Sequence, residues 1–415
     1  MPGLDVNRRI AAISGHPMRI FFVTSKLNFK KAGGSVEEFD LMIREFQRLG
    51  NEVTVVTVFS QNNEIDRPLP YKVIEEKVLS RGLLGIQWHA YKILRKYQNE
   101  ADIFHIDGHL LLYGAGLYRR LGGKVPVEAF FNRELIFWPQ ITSSLFPQNE
   151  PKVIERLKIK LRSLVEKNIG MPLANGIDLF SFISPMFKEM YENFGLRRDP
   201  KSLVINDPID FGKIMRENSI VENSYLKRNK FGPKIKIFYS SRMAPGKGFD
   251  ILLKGFSLVR NKDDFELILG GTGPEEQYVK DMIREYKLDP YVTLLGWVSK
   301  EKLYQLHREA DIFVQADWLT YGTSISLLYA MIFGIPCILP AGGGLQWIAD
   351  GAALYFKNRD TEELALRIEE LGRDRELRAK LSMNCYRRLK DDEMNYVKQV
   401  GRLFRAVEEM KSDLK

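Results

Sequence analysis

Arg242 and Lys247 stand five residues apart in SRMAPGKGF, directly after the β-rich run IKIFYSS (235–241). Two cations leaving the end of a strand suit a diphosphate, by charge and by bidentate hydrogen bonds; a solvated basic turn is the other reading of the same residues. Gly271 and Gly273 in LGGTGP follow another strand-like run and permit close backbone approach to a ligand, or simply a tight turn. Pro274, Glu275 and Glu276 then suit the first turn of a helix. Gly322, Thr323 and Ser324 open a helix in GTSISLLYAMIFGIP, where amides, two hydroxyls and the positive dipole end form an anion site or an N-cap. Gly33 and Gly34, beside Lys30 and Lys31, offer a similar helix start in KKAGGSVEEF. His105 and His109 lie where a strand ends in FHIDGHL, a place for ligand contact or for a hydrogen-bonded structural histidine. There is no Asp-x-Asp pair and no His/Cys cluster of ligand spacing, so a metal is not indicated.

These residues need strands and helices to position them, and the chain alternates the two. In the first half the runs 19–25, 52–58, 102–107, 125–131 and 179–184 read as strands. Val36, Phe39, Ile43, Phe46 and Leu49 recur at helical spacing between the first two, with Gly50 as the stop. The second half repeats the plan at 235–241, 265–271, 292–297, 311–316 and 336–340. This is the pattern of an α/β chain with two doubly wound, Rossmann-like domains facing across a cleft. The expected boundaries are an extension over 1–17, a first domain over 18–210, a second over 211–390, and a closing helix over 391–415 that packs on either domain.

The 415 residues carry a net charge of +9, spread as 29 basic against 24 acidic residues up to 210 and 33 against 29 beyond. Nucleic-acid binding concentrates charge on one element, so the even spread argues against it and for anionic small molecules or an anionic membrane surface. Two cysteines, Cys337 and Cys385, and no apolar run of spanning length fit a cytoplasmic protein. PKVIERLKIKLRSLVEKNI (151–169) places Val153, Ile154, Leu157, Leu161, Leu164 and Val165 on one helical face, with most of its cations around the other. Such a helix packs its apolar stripe on its own domain, or lies peripherally on an anionic bilayer.

Taken in order, the Gly33-Gly34 loop, DIFHIDGH, INDPID, SRMAPGKGFDILLKGF, LGGTGP, LGWVSKEKLYQLHREADIFV and YAMIFGIPCILPAGGG resemble glycosyltransferase family 4, the retaining, nucleotide-sugar-dependent enzymes of the GT-B fold. The resemblance covers nearly the whole chain from Met18. It implies that Arg242 and Lys247 bind the donor's diphosphate and stabilise its departure, that Gly33 and Gly34 approach the same phosphates, and that no metal or other cofactor is needed. It implies a donor that is a nucleotide-diphosphate sugar and a glycan or lipid-linked acceptor. The family's Glu-x7-Glu pair falls on Tyr321 and Tyr329, its acidic position after the glycine turn on Trp347, and its sugar-facing His on Asn132. The phosphate half of the motif set is therefore present and the carboxylates that read sugar and ribose are absent. A retaining hexosyltransferase is the function implied; a catalytically inactive GT-B partner or scaffold of an active transferase is the alternative.

Overall fold

A computed structural model describes residues 17–30, 35–79, 82–133, 153–227, 232–319 and 322–413. The chain divides into two compact units. One comprises the residues up to 135 with 157–209 and 395–415; the other comprises 136–156 and 210–394.

The sheet of the first unit contains β1 (Arg19–Thr24), β2 (Glu52–Thr57), β3 (Lys72–Glu75), β4 (Ile103–Asp107), β5 (Val127–Phe131), β6 (Leu179–Phe182) and β7 (Leu203–Val204). All pairings are parallel, in the order β3-β2-β1-β4-β5-β6-β7. β4 and β5 are almost wholly buried, as strands covered by helices on both faces must be. The helix Ser35–Arg48 begins with Glu37 and Glu38 at its positive end and finishes with Arg48 at its negative end. Gly50, at φ +90°, stops the run. This helix buries Met42, Ile43 and Phe46. Phe46 meets Phe22 of β1 edge-on at 5.4 Å and Phe404 of the C-terminal helix Tyr396–Ser412 at 5.8 Å. Each such pair adds about 0.5–1.5 kcal/mol beyond burial.

The second unit is built on β8 (Ile235–Ser240), β9 (Phe265–Gly270), β10 (Val292–Leu294), β11 (Ile312–Val314), β12 (Cys337–Pro340) and β13 (Ala353–Phe356), again parallel, in the order β10-β9-β8-β11-β12-β13. Ten of the thirteen strands among the described residues are the ten runs read from the sequence. β3, β7 and β13 were not anticipated: KVIE and LV are short edge strands, and ALYF has only four residues to show a period.

Candidate active site

Both sheets have one place where strand order reverses, between β1 and β4 in the first and between β8 and β11 in the second. Chains leaving the two strands there diverge, and a crevice opens at the carboxyl ends.

In the second unit that place is occupied by Lys247 and Asp317. The Lys247 ammonium lies 2.9 Å from Asp317 Oδ2, and the Tyr239 hydroxyl, at the end of β8, is 2.6 Å from Oδ1. Asp317 is buried, whereas the Lys247 side chain is 44% exposed and keeps a face toward solvent. Burial and the neighbouring Asp317 carboxylate both push the Tyr239 phenol well up, so it stays a hydrogen-bond donor. Arg242 projects from the same loop, exposed, with no ion pair among the described residues. Asp317 was not singled out in the sequence; its signal was a carboxylate emerging just past a fully apolar strand, in DIFVQAD.

Glycines hold this loop in place. Gly248 sits at φ +67°, and a Cβ there would fall 1.9 Å from the Ala316 carbonyl oxygen, so the turn rests directly on the chain leaving β11. Gly271, at φ +121°, has the Ser241 carbonyl 1.8 Å from where its Cβ would be, and Gly273 has that of Met243 at 2.2 Å. The close approach these two glycines serve is thus to the Arg242 loop itself, which is also tied by Met243 N–H to Thr272 O at 3.0 Å. Glu275, beside this turn, has its carboxyl pushed up to about 7 by burial and by the nearby Asp250. A carboxyl titrating near neutrality at this crevice was not foreseen either.

Ser324 caps the helix Ile325–Ile332, its hydroxyl accepting from Leu327 N–H at 3.3 Å, and Ser326 donates to Ser240 O at 2.9 Å, fastening the helix start to the end of β8. Gly322 and Thr323 lie just before the cap, half-buried. Tyr329 is a buried packing residue: its ring meets Tyr304 at 5.6 Å and His307 at 6.2 Å. Trp347 is half-buried in the helix Gly343–Ala349. Gly33, Gly34 and Tyr321 lie outside the described residues.

The reversal point of the first unit carries a cleft of about 430 Å³, lined by Thr24, Ser25, Asn28, Asp107, Asn132 and Arg133 among others. Asp107 closes its floor, accepting from Thr24 Oγ1 at 2.7 Å and Ser25 N–H at 3.2 Å. Asn132 follows β5 into the cleft, with a buried Oδ1 that has no hydrogen-bond partner among the described residues. His109, in the first turn of the helix that begins directly after Asp107, does not line the cleft but has a buried Nδ1 without a hydrogen-bond partner among the described residues. Burial lowers its pKa to about 4, opposed by Asp107 and reinforced by Arg133. It is therefore a neutral imidazole at pH 7. His105 is not part of the cleft: it is buried, its ring tilted against Phe22 at 4.4 Å and stacked on Phe130 at 5.9 Å, and it is paired with Glu128, which also accepts from Ser181. Of the two readings open for it, the structure selects the structural one.

Residues 222–388 match the family model for glycosyl transferases group 1. Among solved structures, sucrose-phosphate synthase from Thermosynechococcus elongatus superposes with a TM-score of 0.71 at 16% identity, over 94% of this chain and 99% of that one. Anabaena HepE, solved with UDP and glucose, gives 0.68 at 16% identity, over 94% and 100%.

The fold is GT-B.

The residues matching the group 1 model fall within the second unit, and Lys247, Asp317 and Arg242 are among them. In sequence the chain is 29% identical over 168 residues to mannosylfructose-phosphate synthase of Agrobacterium fabrum, which covers 37% of each protein. It is 24% identical over 223 residues to a GDP-mannose-dependent phosphatidylinositol monomannoside mannosyltransferase of Mycobacterium tuberculosis, covering 51% of this chain and 57% of that one. The matched part thus spans about a third to three-fifths of these relatives.

Proposed function

We propose that this GT-B protein is a retaining glycosyltransferase that moves a sugar from a nucleotide-diphosphate donor to a glycan or lipid-linked acceptor, on the cytoplasmic side of a membrane. The observation that carries the reading is the Lys247 ammonium, fixed by buried Asp317 at the reversal point of the group 1 domain, with exposed Arg242 on the same loop. In the reaction the bond from the anomeric carbon to the diphosphate oxygen breaks, its electron pair going to the leaving diphosphate, while the acceptor hydroxyl oxygen bonds to that carbon on the same face and its proton passes to the departing phosphate oxygen. Arg242 and Lys247 stabilise that charge as it develops. Ser324 is already engaged as the helix cap, so Gly322 and Thr323 are the candidates of that turn for phosphate contact.

The first unit is assigned the acceptor. Among the described residues Asn132 Oδ1 is a buried acceptor without a donor and His109 Nδ1 a buried ring nitrogen without a partner, and sugar hydroxyls, which both donate and accept, supply what each lacks. With a pKa near 4, His109 stays neutral and does not take the acceptor's proton. Tyr329 has no part in the proposal, because its ring is engaged in packing. The relatives' donors, GDP-mannose for one and UDP with glucose in a solved neighbour, make hexosyl nucleotides the first to test.

Calorimetric titration with UDP, GDP and ADP is the direct experiment. One of them should bind saturably, with affinity reduced in Arg242→Ala, and the matching sugar nucleotide should be turned over. Absence of saturable binding by any nucleoside diphosphate defeats the donor assignment. Asn132→Ala should raise the acceptor KM and leave nucleotide affinity as it is.

A further inference from the structure

The helix Val153–Val165 is built the wrong way round for a domain helix. At about 100° per residue, Val153, Ile154, Leu157, Leu161, Leu164 and Val165 fall within an arc of about 120°. That arc is the exposed one: Val153 is 81% exposed, Leu157 67%, Leu161 63% and Leu164 60%. Attachment runs through the opposite, polar side. Glu166, directly after the helix, is buried, accepts from the Tyr113 hydroxyl at 2.7 Å, and pairs with Arg162. Gly170 then lets the chain pass against the Tyr113 ring, which would lie 2.7 Å from any Cβ placed there. The expectation that the stripe packs on its own domain is not what the structure shows.

We propose that this face docks on an anionic lipid bilayer. Lys160 and Arg156 border the apolar arc on one margin and Lys158 on the other, all exposed. Four cations stand against one acid, Glu155, within the helix. An apolar stripe between two cationic margins matches the acyl boundary flanked by anionic headgroups. A second copy of the same face would bring like charges onto each other along both margins, which an isologous contact must pay for. At 13 residues the helix is about 20 Å long, enough to lie in the interface and too short to cross a core of about 30 Å. None of the helices among the described residues is long and apolar enough to cross a membrane.

The docking surface is independent of the donor crevice, and the test separates the two. Full-length protein is sedimented with vesicles of phosphatidylcholine alone or with about one-third phosphatidylglycerol, at low and high salt. The expected result is binding to the anionic vesicles, weakened roughly tenfold or more by high salt, by omission of phosphatidylglycerol, or by Lys158→Gln with Lys160→Gln. Leu157→Ser with Leu161→Ser and Leu164→Ser should abolish it. Because all five side chains are exposed, the variants should keep the wild-type melting temperature and nucleoside diphosphate response. No binding of wild-type protein to anionic vesicles at low salt overturns the proposal. So does binding that both variants retain, or a wild-type dimer that the leucine variant dissociates while vesicles capture neither form.

Discussion

Lys247 Nζ and Asp317 Oδ2 are 2.9 Å apart across seventy residues of sequence, and the two side chains differ sharply in exposure. The carboxylate is buried and the ammonium is half open, so the pair works as a fixed post from which one positive charge faces the crevice. Arg242 has no such anchor among the described residues. The two cations should therefore respond differently to removal. Arg242→Ala is expected to weaken nucleoside diphosphate binding by about 1.5–3 kcal/mol with an unchanged melting temperature. Lys247→Ala should weaken binding similarly and also cost about 1–3 kcal/mol of stability, because it leaves the buried Asp317 carboxylate short of a partner. Calorimetric titration and thermal unfolding of the two variants check this; equal melting temperatures would remove the anchoring role of Asp317.

Tyr329→Glu would place the carboxylate of the Glu-x7-Glu pattern at the position that packs on Tyr304 and His307. A charge buried there without a partner should destabilise the protein by about 3 kcal/mol or more, with no gain in sugar transfer. A stable variant with higher turnover would show that the tyrosine is a lost carboxylate.

His307 is fully buried among Phe238, Phe313 and Phe333, with its Nδ1 2.8 Å from Leu303 O. Burial lowers its pKa to about 4, against backbone hydrogen bonds that favour the charged form. Since the folded value is below the unfolded value of about 6.5, the unfolded state takes up the proton first as pH falls. The contribution of His307 to stability is thus complete above about pH 6.5 and is lost progressively toward pH 4, roughly 3 kcal/mol over the whole window. His109 acts in the same direction. Denaturant unfolding at about pH 7 and about pH 5 should show the loss, and His307→Gln should flatten it.

Gly248→Ala tests the seat of the Lys247 loop. The substitution combines a left-handed backbone with a Cβ 1.9 Å from a carbonyl oxygen, so the turn must lift from the end of β11. Stability should fall by about 2 kcal/mol or more, and diphosphate affinity should fall with it, since Lys247 and Asp317 are carried apart. Gly246→Ala, whose Cβ meets only the Leu319 side chain at 2.5 Å, should cost less, because that side chain can move where a backbone carbonyl cannot.

How these residues came together was only partly legible in the sequence. Alternating β-rich and helical runs determined the α/β class, ten of the thirteen strands among the described residues, and the emergence of Arg242 and Lys247 at a strand's carboxyl end, because each of these rests on local period and on turn residues that act over a few positions. Tertiary structure alone decided that Lys247 meets Asp317: their contact depends on β8 lying beside β11, and strand order is not a local property. The same holds for Glu128, which joins His105 of β4 to Ser181 of β6 through the core. Tyr329 shows the limit from the other side, since its place in the motif says nothing of the Tyr304 and His307 rings that enclose it. In the helix Val153–Val165 the 3.6-residue period determined which side chains share a face. Which way that face points is set by what the opposite side grips, here Glu166 against Tyr113, and no pattern within the helix carries that information.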